Sequence, residues 1–555
     1  MKRAMSRFTP SWRGRLAAGA ILAVFSGGVS AWALITSSGD RQIVTNVEHN
    51  GAAFSEFNDG VLAGHHTQAV WTNLVLGNQT AQAFTRAVEL GDQLFAGSFS
   101  GDEGGGANVG AGYRYTRMPR ADLTGAGQWA THTPARATGP NATSCNGCHN
   151  QGGDDGGGDS ADNVHRDGNH TGRLNQQVQR NTPHLFGMGG VQRLAEEMTV
   201  DIQNQRNAAR TAIGCGTTTT AGSRTVALTS KATAFGTLTI NHTAGSTACT
   251  ETLAPPAGNT TNAVSADLVV RAFQWKGSVA FVRDFVRGAL HNEIGMQASE
   301  LLGSPTVDPS TVDGDGDGVV NEFFTGDVTA LTLYNANQPR PTTKLELNAL
   351  GLLATPLTAQ EISDINAGSA IFNGATLGCK NCHTPSLVVN DVIYREPSAN
   401  PNFRDAGGVF PNGRPVTTLD PAHPVTFDIT RDQQENADVM AANGQKLGSF
   451  QRDAAGHAVV ALFGDLRRHD MGPGLAEEVD EVGTGASVFM TENLWGCGTT
   501  PPYLHDGRAA TLTEAILEHG GEAQTSRNNF VALTDTQKRQ LVAFLKNLVL
   551  FKKEG

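Results

Sequence analysis

Cys145-Asn146-Gly147-Cys148-His149 is the stretch that decides the fold, and its pattern returns in Cys379-Lys380-Asn381-Cys382-His383. In the pattern Cys-x-x-Cys-His, two thiols bond covalently to one haem, and the adjacent histidine offers its imidazole to the iron. A single copy also occurs by chance or as half of a zinc site. Two copies in one chain predict two covalently bound c-type haems, with His149 and His383 as iron ligands.

The N-terminus carries basic residues followed by an apolar run. The basic residues are Lys2, Arg3, Arg7, Arg13 and Arg15, the apolar run covers residues 16–25, and small residues follow up to Ala31. This order predicts an export signal over residues 1–31 and a periplasmic protein. Apolar character resumes at Trp32, so an uncleaved signal that anchors the chain in the membrane is the alternative.

Length and charge limit the classes of function. The 555 residues are enough for two or three domains with cores of their own, and the formal net charge is -12 with 17% charged residues. This acidic balance argues against nucleic acid as a partner and is compatible with basic protein partners.

Three of the seven cysteines lie outside the haem motifs. Cys215 and Cys249 bracket a segment rich in Thr, Ala and Gly, in which apolar residues alternate as in a β-strand. In an oxidising compartment we expect these two thiols to form a disulfide bond. Cys497 is left over, and we expect it to be a buried apolar residue rather than a reactive thiol.

Helical periodicity marks two related units. Apolar residues recur at helical spacing over residues 81–95, a second helix opens with the capping box Thr358-Ala359-Gln360-Glu361, and a third opens with Thr534-Asp535-Thr536-Gln537. The first two helices have similar endings, with Gly and Phe four positions apart at residues 91–95 and 368–372. Each of these endings precedes one haem motif.

Asp313, Asp315 and Asp317 alternate with glycines in an acidic loop. Such alternation can turn several carboxylate oxygens onto one calcium ion. The loop departs from an EF-hand because Phe324 stands at the twelfth position, where a glutamate is expected. We interpret the loop as a calcium site, with a solvated acidic linker as the alternative.

The order of further motifs resembles that of the bacterial di-haem cytochrome c peroxidase superfamily, and in particular its di-haem oxidoreductase branch with peroxidase-like and thiol oxidoreductase-like members. The resemblance covers residues 91–555 apart from the insert between Cys215 and Cys249. Besides the two haem motifs it rests on Arg180-Asn181-Thr182-Pro183, Phe273-Gln274-Trp275-Lys276-Gly277, Glu293-Ile294-Gly295, His469-Asp470-Met471-Gly472, Pro502-Tyr503-Leu504-His505-Asp506-Gly507-Arg508 and Glu518-His519-Gly520-Gly521.

The resemblance implies a division of labour in which the haem of His149 meets the oxidant. Glu293 matches the family's acid/base carboxyl group, and Trp275 falls where the family places an indole between the haems. The family's displaceable distal histidine falls near His165, with His170 as the alternative. A surface glutamate, a core tryptophan and an ordinary loop histidine are the competing interpretations of these side chains.

The resemblance also implies that the haem of His383 is closed by a second axial ligand and relays electrons. That ligand corresponds to His519, with Met471 and Met490 as competing ligands. The family further has a calcium ion between its haem domains. Its ligand positions correspond to Asn181, Thr500 and Pro502, and hard oxygen ligands from such distant segments would clamp the two units together.

We therefore predict a mainly α fold of two cytochrome c-like haem domains with long loops and a small β-like insert. The expected segments are a signal peptide at 1–31, an N-terminal extension at 32–78, a first, reactive domain at 79–345 that contains an insert at 205–262 and an acidic loop at 313–322, and a second, electron-relay domain at 346–555.

The function expected from the resemblance is haem-dependent reduction of hydrogen peroxide, with electrons from a small donor protein such as a cytochrome or a cupredoxin. Two alternatives remain. The same apparatus could oxidise an organic or protein substrate, as in the related rubber oxygenases and the enzymes that mature protein tryptophans. If both irons are fully ligated, the protein is instead an electron-transfer cytochrome without catalytic activity.

Overall fold

The computed structural model describes residues 57–58, 61–62, 65–100, 103–106, 141–153, 155–166, 178–218, 220–301, 319–320, 322–405, 419–442, 444–480 and 482–553. The predicted signal peptide and the acidic loop with Asp313, Asp315 and Asp317 lie outside these ranges, so both stay predictions. Within the described ranges, no helix combines the length and the apolar character needed to cross a bilayer.

The described helices include the three predicted at residues 81–95 and after Thr358 and Thr534. They are α1 (Gln68–Leu76), α2 (Thr80–Ala96), α3 (Met188–Ala212), α4 (Val282–Ala289), α5 (Thr325–Ala336), α6 (Lys344–Ala349), α7 (Ala359–Asn373), α8 (Leu512–Glu518), α9 (Gln524–Val531) and α10 (Asp535–Leu545). Both predicted capping boxes are confirmed. The hydroxyl groups of Thr358 and Thr534 each accept a hydrogen bond from the backbone N–H of the third helical residue, and the backbone N–H of each threonine donates to the side chain of that same residue.

Two helix crossings have the same construction. A Cβ atom on Gly91 of α2 would overlap the carbonyl oxygen of Ala330 in α5, and a Cβ atom on Gly368 of α7 would overlap that of Gln540 in α10. Only glycine therefore allows these backbones to approach so closely. The phenylalanine that follows each glycine packs on an aromatic ring of the partner helix. Phe95 lies 5.4 Å from Tyr334 and Phe372 lies 5.2 Å from Phe544, measured between ring centroids.

The strands are short and antiparallel. They are β1 (Phe57–Asn58), β2 (Val61–Leu62), β3 (Val164–Arg166), β4 (Val178–Arg180), β5 (Gly222–Ser230), β6 (Thr233–His242), β7 (Cys249–Ala254), β8 (Thr342–Thr343), β9 (Leu387–Val389), β10 (Ile393–Glu396), β11 (Val425–Asp428), β12 (Gln451–Arg452), β13 (Ala458–Val460), β14 (Arg468–Asp470), β15 (Val488–Met490) and β16 (Leu548–Val549). They form the two-stranded sheets β1-β2, β3-β4, β8-β16, β10-β11 and β14-β15 and the three-stranded sheets β5-β6-β7 and β12-β13-β9.

The prediction of a mainly α fold is wrong. The structure is 35% helical and 16% strand, with several small sheets. Most of the strands have only two to four residues. Such strands are too short to show an alternating pattern, so the sequence does not distinguish them from loops. The sheets pair segments that we predicted to be long loops.

The predicted β-like insert is a three-stranded antiparallel sheet. The strands of this sheet are β5, β6 and β7, of which β5 and β6 carry buried side chains that include Leu228, Leu238 and Ile240. These side chains belong to the same apolar cluster as Ile202 of α3. The predicted disulfide between Cys215 and Cys249 is confirmed, with a Cα–Cα distance of 5.8 Å. The sheet thus packs on α3, and the disulfide closes the insert at its base.

Two apolar cores support the haem motifs. The larger core joins helices α1 to α5 with strands β9 to β11 and β13, and therefore combines residues from both predicted domains. A smaller core around the α7–α10 crossing contains Phe372, Leu541 and Phe544 and is packed against Cys379. Cys497 lies in the smaller core with 8% of its surface exposed, which confirms it as a buried residue.

Candidate functional site

The first haem motif is held by short-range hydrogen bonds. Cys145–Gly147 form a single 3-10 turn, and the Ser144 hydroxyl caps it by accepting a bond from the Gly147 N–H at 3.1 Å. The imidazole Nδ1–H of His149 donates to the carbonyl oxygen of Gly156 at 3.1 Å. Because Nδ1 is used in this way, Nε2 is the ring nitrogen that remains to bind iron.

The second motif repeats this arrangement. Cys379–Asn381 form a 3-10 turn, and Nδ1–H of His383 donates to the carbonyl oxygen of Phe463 at 3.1 Å. Burial lowers the pKa of both His149 and His383 to about 4, so each imidazole is neutral near pH 7. A neutral imidazole with its Nδ1–H fixed by a carbonyl group is the form in which histidine binds a metal.

His519 follows the last residue of α8 and faces the second motif. Its Nδ1–H donates to the carbonyl oxygen of Ala515 at 2.7 Å, which again leaves Nε2 as the ligand atom. The ring centroids of His383 and His519 are 6.4 Å apart. Two imidazoles on opposite sides of one metal ion, with metal–nitrogen bonds of about 2.0–2.1 Å, have centroids about 6 Å apart. These residues therefore fit a haem iron between them.

The competing methionine ligands have other surroundings. A Cβ atom on Gly277 would lie 2.5 Å from the Met490 Sδ, so this side chain packs on the loop that carries Trp275. The backbone carbonyl of Met471 lies beside Gly520, next to His519. The geometry thus favours His519, and the assignment of the sixth ligand stays a prediction.

The cysteines also fit haem attachment better than zinc binding. Neither Cys-x-x-Cys pair is bridged by a disulfide. In the described part of the chain, the one group of three side chains with metal-ligand spacing is Cys382, Asp465 and His469. Burial disfavours a charge on His469, but hydrogen bonds with Asp465, Cys382 and Glu522 outweigh it and raise the pKa to about 11. Hydrogen bonds with Glu522 and Asp465 thus occupy both imidazole nitrogens of His469.

Glu293 lies close to the first motif, on the π-helical turn Leu290–Ile294 that continues α4. Its Oε2 accepts a bond from Asn141 Nδ2 at 3.0 Å, and its carbonyl oxygen accepts the Asn141 N–H at 2.8 Å. Burial raises the pKa of the Cys145 thiol, and the Glu293 carboxylate adds to the rise. The π turn, a feature frequent at functional sites, thus presents Glu293 to the segment that leads into the haem motif.

Of the two histidines predicted on the distal side, His165 has a described backbone position. His165 lies in β3, opposite Gln179 of β4. The side chain of His165 and the whole of His170 lie outside what the structure describes, so their part in iron binding stays a prediction. Among the described rings, Phe95 contacts His149 at 5.8 Å between centroids.

Trp275 connects segments of the two predicted domains. Its indole N–H donates to the carbonyl oxygen of Asn181 at 2.9 Å, and its own carbonyl oxygen accepts the Met490 N–H at 2.9 Å. Asn181 follows β4 in the first domain, and Met490 ends β15 in the second. The indole therefore lies where segments of the two predicted domains meet, and its place between two haems stays a prediction.

The residues predicted to bind calcium lie around the same junction. Asn181 Nδ2 donates to Gly158 and Asn163, so its Oδ1 is the amide atom suited to a hard cation. A Cβ atom on Gly507 would lie 3.1 Å from Pro502 Cγ and 3.3 Å from Asn181 Nδ2. Thr500 packs against Gly157. The three segments meet, and the ligand set stays a prediction.

Two features were not found from the sequence. One is the His469 cluster, whose histidine stands in a motif used only to support the resemblance. The other is a cleft beside Trp275. Its aromatic lining includes Phe186, Phe273, Phe285 and Trp495. These rings come from separate parts of the chain, and no local pattern brings them together.

A family model and a solved structure match parts of this chain. No curated protein matches the sequence significantly. A solved structure titled "Crystal structure of a MauG-like protein associated with microbial copper homeostasis" is similar at 16% identity, covering 50% of this chain and 71% of that chain with a TM-score of 0.25. Residues 436–548, which include His469, Trp495 and His519, match the family model described as "Di-haem oxidoreductase, putative peroxidase". This match confirms the predicted resemblance over residues 436–548, where the chain is similar to the di-haem oxidoreductase family.

Proposed function

We propose that the protein is an exported c-type di-haem oxidoreductase that reduces hydrogen peroxide at the His149 site with electrons that enter through the His383 site. The observation that carries the proposal is an asymmetry between the two sites. His383 faces a second imidazole in ligand geometry, whereas the described ring in contact with His149 is that of Phe95. An iron with one protein ligand can accept a small oxidant, and an iron with two cannot.

His184 is a described imidazole that lies near enough to His149 to contribute to the low pKa of that residue. Its Nε2–H donates to the carbonyl oxygen of Trp495 at 2.8 Å. Among the described residues its buried Nδ1 has no hydrogen-bond partner, so this is the atom through which His184 would bind an iron. Carbon monoxide binding to the reduced protein therefore tests whether the His149 site keeps an open position.

When bound, the haems supply the redox chemistry of the balanced reaction, in which hydrogen peroxide, two electrons and two protons give two molecules of water. Cleaving the O–O bond needs a proton on the leaving oxygen. Glu293 would carry this proton through its carboxyl group, which Asn141 orients by the bond from Nδ2 to Oε2. His149 and His383 would hold the irons through Nε2, with their rings fixed by Gly156 and Phe463.

Trp275 would carry electrons between the sites. Its indole N–H donates to Asn181, and its backbone carbonyl oxygen accepts a bond from Met490, so the orientation of the side chain is fixed before an electron arrives. The electrons would come from a small reduced donor protein, a cytochrome or a cupredoxin. Calcium at Asn181, Thr500 and Pro502, and a second ion at Asp313, Asp315 and Asp317, would stiffen the fold without taking part in the chemistry.

A second candidate function is the oxidation of an organic or protein substrate. The cleft beside Trp275 favours it, because an aromatic lining of this kind suits an apolar or aromatic group. The same indole would then deliver two electrons from that group to the haems, and hydrogen peroxide would be the oxidant that is reduced to water. Oxidation of a bound aromatic compound, with no separate donor protein present, would support this candidate over the first.

Steady-state turnover separates the candidates. The purified protein is mixed with hydrogen peroxide and a panel of reduced small cytochromes and cupredoxins, and donor oxidation is followed by absorbance. The proposal predicts peroxide-dependent oxidation of at least one donor at two electrons per peroxide. Absence of turnover with every donor, combined with absence of carbon monoxide binding to the reduced protein, would identify an electron carrier instead.

A further inference from the structure

A buried glutamate ties together the two neighbours of Trp275. Glu477 lies on the loop after β14, and 5% of its side chain is exposed. Both terminal guanidinium nitrogens of Arg180 donate to the Glu477 carboxylate, and Lys276 Nζ lies 3.3 Å from Glu477 Oε2. Arg180 precedes Asn181, whose carbonyl oxygen accepts the indole N–H, and Lys276 directly follows Trp275. One carboxylate thus holds both segments that fix the indole.

Lys276 has little freedom to move. Its Nζ donates to the carbonyl oxygens of Gly485 at 2.9 Å and Ala486 at 3.0 Å, and it lies 4.1 Å from the centroid of the Phe489 ring. The side chain is 1% exposed. A lysine that is buried to this degree needs a counter-charge, and Glu477 is the carboxylate in contact with it.

The contacts close into a ring around the indole. Phe489 stacks on His505 with centroids 4.3 Å apart, and the carbonyl oxygen of His505 accepts the Asn181 N–H at 2.8 Å. Asn181 returns to Trp275 through the indole bond. The ring therefore contains segments from before the insert, from the Trp275 loop and from the C-terminal part of the chain.

From this geometry we infer that Glu477 is a positioning residue, which sets the place of the Trp275 indole between the two haem sites and thereby the rate of electron transfer between them. The inference rests on the relay role proposed for Trp275. Without the negative charge, Arg180 and Lys276 would be two like charges in one buried space, and their repulsion would act on both anchors of the indole. A shift of about 1 Å can cost a reaction up to ~10²-fold.

Glu477→Gln tests the inference, because it keeps the size of the side chain and removes its charge. Glu478→Gln is the matched control, since the neighbouring glutamate is exposed. Electron transfer between haems is measured in half-reduced protein after photolysis of bound carbon monoxide, in the absence of peroxide. We expect Glu477→Gln to slow transfer at least ~10-fold while both haem spectra stay as in the parent, and the control to keep the parental rate.

The same pair of proteins is then compared in a Trp275→Phe background. If Glu477 acts through the indole, its substitution has no further effect there. An equal slowing in both backgrounds, or a parental rate in the Trp275-containing variant, overturns the inference. If Glu477→Gln fails to incorporate haem, electron transfer is measured in Glu477→Asp instead. The shorter aspartate side chain keeps the negative charge but cannot reach both Arg180 and Lys276. Slow transfer that depends on Trp275 supports the inference, and a parental rate overturns it.

Failure of the proposed function gives a different result. A parent protein that transfers electrons between its haems but does not reduce peroxide refutes the peroxidase proposal and leaves the role of Glu477 intact.

Discussion

The substitution Glu293→Gln separates a role in proton transfer from a role in folding. In the parent, Glu293 Oε2 accepts a bond from Asn141 Nδ2 at 3.0 Å. Glutamine keeps a carbonyl oxygen for this bond and has nearly the same volume. The substitution should lower the free energy of unfolding by about 1 kcal/mol, which is the difference between a charged and a neutral hydrogen-bond acceptor.

The expected loss of activity is larger. Removal of a general acid/base group typically costs ~10²–10⁴-fold, which corresponds to about 3–5 kcal/mol of transition-state stabilisation. We therefore expect Glu293→Gln to fold, to carry both haems with parental resting spectra, and to reduce peroxide at least ~100-fold more slowly. Stopped-flow absorbance with excess peroxide measures this rate directly and does not depend on the donor protein.

Asn141→Ala provides the companion variant. It leaves the carboxyl group in place and removes the amide that orients it, so a smaller loss of about 10-fold is expected. Glu89→Gln, an exposed substitution on α2, is the control and should keep the parental rate. If Glu293→Gln reduces peroxide as fast as the control does, Glu293 has no part in proton transfer, and the proposed mechanism is wrong at this residue.

Three further predictions follow from single contacts. His519→Ala should convert the haem of His383 from low-spin to high-spin, seen by electron paramagnetic resonance; an unchanged low-spin signal would move the ligand role to a methionine. Gly368→Ala should destabilise the protein by about 1–3 kcal/mol in urea unfolding, because its Cβ would overlap Gln540, whereas Gly474→Ala, with no atom within 4 Å, should be neutral. Burial opposes ionisation of Glu522, but hydrogen bonds from His469 and two other groups lower its pKa from 4.5 to about 2. The stabilising effect of the ionised carboxylate is therefore present above pH 4.5 and is lost as the pH falls towards 2. Glu522→Gln should flatten the dependence of the free energy of unfolding on pH in that window, and a dependence as steep as the parent's would contradict the pairing.

Local signals in the sequence predicted three of the described helices. The capping boxes at Thr358 and Thr534 involve residues three positions apart, and both form as expected. The haem motifs are also local, because the turn of Cys145–Gly147 is completed by Ser144. The disulfide between Cys215 and Cys249 could be predicted because few cysteines remained outside the motifs.

Features that depend on distant contacts could not be predicted. The strands of two to four residues form only because another part of the chain pairs with them, and this is why the expected mainly α fold was wrong. Glu477 reaches Arg180 across 297 positions, and no pattern in either segment announces the pair. The approach of His519 to His383 was expected only from the resemblance, since a histidine after a short helix has no distinctive local signal.

The stoichiometry of carbon monoxide binding tests the central claim most directly. The purified protein is analysed by mass spectrometry for covalent haem, then reduced with dithionite and titrated with carbon monoxide while the absorption spectrum is followed. We expect two covalently attached haems per chain and one bound carbon monoxide, because His519 would close the iron of His383 while the iron of His149 would stay accessible. Fewer than two covalent haems, or binding of either no carbon monoxide or two molecules per chain, would contradict it.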